Sequence, residues 1–118
     1  MARYVDGFLL GVPKKKLPAY RKMAAQAGKI FREHGALEFV ECVIDDIPKS
    51  FGVPFPKAAK TKAGEVVMFS WIAYKSKAHR NAVNKKVMAD PRLQKASTEM
   101  PFDHTRMSWG GFKTLVDL

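Results

Sequence analysis

Glu65-Val66-Val67-Met68-Phe69-Ser70-Trp71-Ile72-Ala73-Tyr74 is the stretch that decides the fold. It holds no Pro or Gly, and β-branched and aromatic residues dominate it, so it reads as a strand. Alternate side chains of a strand point to opposite faces. One face carries Val66, Met68, Ser70, Ile72 and Tyr74, the other Val67, Phe69, Trp71 and Ala73. Neither set is polar enough to lie against water, which predicts a central strand covered on both sides.

Upstream, Tyr4 to Val12 reads as a first strand with Gly7 and Gly11 inside it, and Pro13 ends it. Tyr4, Asp6, Phe8, Leu10 and Val12 share one face; Val5 and Leu9 share the other. Beyond Lys14-Lys15-Lys16 the period changes. Leu17, Tyr20, Ala24, Ala27, Phe31 and His34 recur at steps of three and four, the stripe of an amphipathic helix that Gly35 stops. Leu37 to Asp45 is a second strand, with Phe39, Glu41 and Val43 alternating against Val40, Cys42 and Ile44. Residues 46–64 carry three prolines and no apolar period, which predicts a long loop.

After the central strand, Ser76 is placed to N-cap a second helix running to about Ala89, where Asp90-Pro91 stops it and Leu93 sits in a kinked extension. Residues 94–105 read as a polar connection, and Arg106 to Leu115 as the last strand, softened by Gly110-Gly111. The order strand, helix, strand, strand, helix, strand, with right-handed crossovers, sets the first and third strands at the centre. The expected fold is α+β: a ferredoxin-like sandwich, one four-stranded antiparallel sheet with both helices on one face. Two helices cover only one side. The uncovered side is expected to carry Phe8, Phe39, Phe69 or Trp71, and Trp109, and a second copy packed sheet to sheet is its simplest cover.

A chain of 118 residues predicts one domain. No apolar run reaches the roughly 18 residues of a membrane span, and the N-terminus lacks the h-region of a signal peptide. With Cys42 as the only cysteine, no intrachain disulfide or cysteine-based zinc site can form. A cytoplasmic protein is expected. The formal charge of +10 comes from 21 Lys and Arg residues scattered over turns, loops and outer helix faces, the pattern of a solvated surface. An RNA-binding module is the alternative, since an RNA-recognition motif shares the strand–helix order and displays sheet aromatics. The central strand lacks the K/R-G-F/Y-G/A-F pattern of such modules.

Several segments resemble one bacterial family. Tyr4-Val5-Asp6-Gly7-Phe8, Gly35-Ala36-Leu37 with Val40-Glu41-Cys42, Phe69-Ser70-Trp71-Ile72, Met88-Ala89-Asp90-Pro91-Arg92, Met100-Pro101-Phe102-Asp103, Arg106-Met107 and Gly110-Gly111-Phe112 are similar to the YbaA-like proteins, domain of unknown function family 1428. The resemblance runs in order along nearly the whole chain. It implies a dimeric α/β barrel, in which two ferredoxin-like protomers close their sheets on each other. That superfamily includes antibiotic-biosynthesis-type monooxygenases, haem-degrading enzymes, chlorite-dismutase-like proteins, lactone isomerases and ligand-sensing modules. The family itself carries no established activity, so the resemblance transfers a fold and an assembly but no reaction.

For chemistry, Asp6 and Glu41 come first. Each alternates with aromatics on the face expected to meet the partner, and a carboxylate in an apolar cavity has a raised pKa and can act as a general base. The plainer reading is a hydrogen-bonded strand end, or a pair with Arg106 across a dimer. His104, just before the last strand, is a candidate proton shuttle or an exposed loop residue. Phe8, Phe39, Phe69, Trp71, Trp109 and Arg106 are the candidate ligand contacts, with core or interface packing as the default. Three dispersed histidines without H-x-x-x-H spacing select no metal, and nothing selects haem or another cofactor. The expectation is a homodimer with a small apolar cavity in each protomer, binding or transforming a small organic molecule; a ligand-free structural or regulatory dimer is the remaining reading.

Overall fold

The computed structural model of the chain describes residues 2–96 and 101–118. Strand β1 (Tyr4–Pro13) leads through a 3-10 turn (Lys14–Lys16) into helix α1 (Leu17–Glu33), which has Pro in its first turn, where a missing N–H is harmless. Gly35, at φ +115°, ends the helix in the left-handed region: its N–H reaches the Arg32 carbonyl, and the Ala36 N–H reaches that of Phe31. Strand β2 (Glu38–Val43) follows, then a long connection holding the short helix α2 (Phe55–Ala58). Strand β3 (Glu65–Tyr74) gives way at Ser76, whose hydroxyl accepts from the His79 N–H as the N-cap of α3 (Lys77–Met88). Helix α4 (Pro91–Ala96) and, beyond a second 3-10 turn (His104–Arg106), strand β4 (Ser108–Lys113) complete the order.

The sheet runs β2-β3-β1-β4, antiparallel throughout, with β3 paired to β1 over ten residues. The ferredoxin-like arrangement is therefore as the strand–helix order required. Differences lie in the connections. Helix α2 falls inside the expected 46–64 loop, and α4 takes the chain past Leu93 to Ala96. The rest of the 94–105 connection is only partly described, and Met100 lies outside the described residues.

Pleat parity decides what each face meets. Leu10 and Val12 of β1, with Met68, Ile72 and Tyr74 of β3, pack under the helices against Tyr20, Ala24 and Ile30 of α1 and Val83 and Val87 of α3. Burying each such side chain contributes about 1.5–3 kcal/mol, which fixes the register against a one-residue slip. Asp6 and Phe8 share parity with Leu10. Register carries the same parity to Phe39 and Glu41 on β2 and to Trp109 on β4. These five therefore lie on the helix side, not on the uncovered side expected for them. The expectation paired acids with aromatics to define an open face, but the aliphatic Leu10 and Val12 claim that parity for the core. The uncovered face carries Val5, Gly7 and Leu9, Val40 and Cys42, Phe69 and Trp71, and Phe112.

Candidate functional site

On the helix side the register aligns Glu41 of β2, Ser70 of β3 and Phe8 of β1 in one row across three strands. Helix α1 lies over this row and delivers Tyr20 to it, whose hydroxyl donates to Glu41 Oε1 at 2.7 Å. Between sheet and helix is a cavity of ≈ 270 Å³ lined by Phe8, Tyr20, Phe31, Phe39, Glu41 and Ser70, among others. The Phe31 and Phe39 rings stand 5.6 Å apart, and Phe102 meets Tyr20 edge-on at 5.7 Å, closing another side. A second groove, of ≈ 480 Å³, runs along α1 and shares Tyr20, Phe39 and Glu41 with the cavity. The Tyr20–Glu41 pair thus stands where the inner cavity meets an opening.

Its electrostatics follow from that position. Burial pushes the Glu41 carboxyl above its ordinary value, and hydrogen bonds from Tyr20 and Ser70 pull part of the way back. Burial also raises the Tyr20 phenol, and the Glu41 charge beside it raises it further, so Tyr20 stays a donor. The result is a carboxylate held by two hydroxyls in a largely apolar enclosure. A carboxylate has about four lone-pair sites, so Glu41 retains capacity to accept a proton or hydrogen bond from a guest.

Asp6 is in a different place. It is 3% exposed, with its Oδ1 3.4 Å from Arg80 Nε of α3, a charge contact without hydrogen-bond geometry. Arg80 also donates to the Tyr4 hydroxyl at 3.1 Å and lies 5.0 Å from the centre of that ring. Burial raises the Asp6 carboxyl and the Arg80 charge opposes this. Two inter-strand spacings and two residues separate Asp6 from Glu41, on the order of 12 Å. The two acids therefore form separate centres.

The other candidates disperse. Arg106 binds Glu65 through two nitrogens at 2.9 and 2.7 Å and Asp103 at 3.1 Å, all within one chain, so its carboxylates are local. His104 is exposed at the start of the turn that Asp103 caps. Trp109 stacks on Phe8 with centroids 6.2 Å apart, its own ring 60% exposed at the sheet edge. Phe69 and Trp71 lie on the uncovered face, where Trp71 Nε1 donates to Glu38 at 3.1 Å. Of the site residues, Phe8, Phe39 and Glu41 are brought together. Tyr20 is the one the sequence reading missed; a buried phenol on a helix stripe needs a partner for its hydroxyl, and that was the available signal.

Among the described residues no group of three His, Cys, Asp or Glu could hold a metal ion, and no helix is long and apolar enough to cross a membrane.

The profile of the DUF1428 family, described as a protein of unknown function, matches residues 3–104. The uncharacterized protein YbaA of Escherichia coli K12 is 48% identical over 115 residues, which cover 98% of each chain, and that of Shigella flexneri matches equally. Among solved structures, a NIPSNAP domain protein from Burkholderia xenovorans superposes with a TM-score of 0.55 at 16% identity, covering 92% of this chain and 91% of its own. A dimeric ferredoxin-like protein from an uncultured marine organism gives 0.53 at 12% identity, covering 100% and 98%. At such identities these two likenesses bear on the fold alone.

Proposed function

The chain belongs to the DUF1428 family, and from that premise we propose a homodimer whose protomers each bind one small, flat, largely apolar molecule under α1. Glu41 accepts a proton or hydrogen bond from that guest, and Tyr20 orients the carboxylate. The observation that carries this reading is the Tyr20–Glu41 pair on the wall of an otherwise largely apolar cavity. Ligand sites are commonly apolar enclosures with a few placed polar groups, and ≈ 270 Å³ limits the guest to a compact molecule. Where the guest carries an acidic C–H or O–H, a carboxylate raised by burial is suited to remove that proton as a general base. Asp6, paired with Arg80, holds the sheet to α3 and takes no part in this step.

The dimer is supported from the other side of the sheet. Phe69 is 47% and Phe112 62% exposed, flanking Trp71 on a face that among the described helices only the short α2 reaches, through Phe55 against Phe69. A protein of similar fold is described as dimeric, and a second copy is the most economical cover for such a face.

The test is a panel of phenols and enolisable ketones, read by thermal shift and by NMR line broadening. Binding at micromolar to millimolar concentrations that is lost in Glu41→Gln supports the proposal. A panel that shifts nothing, with aromatic side chains found to fill the cavity in solution, overturns it.

A further inference from the structure

The connection between β2 and α2 has its own apolar surface. Phe51 is 99% exposed, and Ile47 and Val53 are exposed beside it. A phenylalanine wholly in water gains nothing for its own fold, so its apolar area is available to a partner. At the base of the same connection, Phe55 meets Phe69 edge-on at 6.0 Å, and Phe69 meets Trp71 at 6.1 Å. The arm is thus continuous with the uncovered sheet face. That face contains a groove of ≈ 580 Å³ lined by Leu9, Phe69, Trp71, Ser108, Gly110 and Phe112, among others. Gly7 and Gly110 oppose each other in the register there, and the Phe112 ring lies against both, forming one wall of the groove.

We propose that residues 46–53 form a clasp that carries Phe51 into this groove on a second copy of the chain. The inference rests on the dimer proposed above. Geometry favours the exchange. A two-fold axis parallel to the strands lays β2 of one copy over β4 of the other. Register places Cys42, Phe69, Leu9 and Ser108 in one row across the face. The arm leaves β2 just beyond this row, so it reaches the partner at the Ser108–Gly110 end of the groove. Each copy supplies one ring and one groove, and the contact is made twice.

Sedimentation equilibrium of the wild type and Phe51→Ser tests this, together with a cross-link between two mixed chains in a Cys42→Ser background. One chain carries Phe51→Cys, the other Ser108→Cys. A dimer constant weakened by at least roughly 30-fold in Phe51→Ser, with a disulfide-linked heterodimer on oxidation, is the expected result. A wild-type dimer whose constant Phe51→Ser leaves unchanged, or one giving no cross-chain disulfide, overturns the clasp and leaves the dimer standing. A wild type that sediments as a single chain overturns both. Phe51 touches no core, so the variants test association and not folding.

Discussion

The Tyr20 hydroxyl donates to Glu41 Oε1 at 2.7 Å, tying helix α1 to the edge strand β2 across the wall of the cavity. This bond stabilises the ionised carboxylate against the burial that disfavours it. Tyr20→Phe removes the donor without adding volume. The Glu41 carboxyl, followed by carbon-13 NMR, is then expected to titrate at higher pH than in wild type. An unchanged midpoint shows that the hydroxyl does not hold the carboxylate in solution.

Burial of Glu41 also has a consequence for stability. A carboxyl raised in the folded state keeps its proton in a window where the unfolded chain has lost it. Its contribution is present below the ordinary value of 4.5 and is lost as pH rises through the raised folded value. Glu41→Gln cannot titrate. Relative to wild type it is expected to gain stability as pH rises through that window, and to be the more stable protein at neutral pH, consistent with a functional group held at a cost to the fold. Urea midpoints of both proteins between pH 4 and 8 check this.

Glu65 titrates in the opposite sense. Hydrogen bonds from Arg106 above all, then the Lys62 backbone, hold its carboxyl down at about 2. The pair anchors the turn before β4 to the start of β3. Its stabilisation is complete above 4.5 and is lost as pH falls toward about 2. Arg106→Leu is expected to destabilise the protein at neutral pH and to flatten the acid limb of the stability curve. Acid denaturation monitored by circular dichroism measures both.

Gly28 lies mid-helix in α1 directly beneath the Phe39 ring. A Cβ there would stand 2.6 Å from Phe39 Cδ1 and 3.1 Å from its Cγ, so the whole ring must move. Helix propensity favours alanine by about 0.5–1 kcal/mol, but overpacking costs about 1–3 kcal/mol. Gly28→Ala is therefore expected to be net destabilising and, by driving Phe39 aside, to weaken binding of the phenol panel. Thermal melting and the panel together report the two effects.

Much of this architecture was legible in the sequence. The period change after Pro13 marked α1, Gly35 stopped it, Ser76 capped α3, and the strand order placed β1 and β3 at the centre. The faces were harder to read. Asp6, Phe8, Phe39 and Glu41 look like a cavity lining by residue type, and only the shared parity with Leu10 and Val12 reveals that the helices cover them. Tyr20 escaped because a stripe residue gives no sign of which strand residue its hydroxyl will meet. Helix α2 is four residues long with Pro at its start, too short for any period to show. Arg106 and Glu65 are 41 residues apart and meet only through tertiary packing.

In this reading of the site the guest sits between sheet and α1 and not on the uncovered face. Aromatic and backbone NMR of the protein, titrated with the tightest-binding phenol of the panel, tests this most directly. Chemical-shift changes centred on Phe8, Phe39 and Ser70 are expected, and they vanish in Glu41→Gln. Changes centred on Phe69 and Phe112, surviving in that variant, would contradict it.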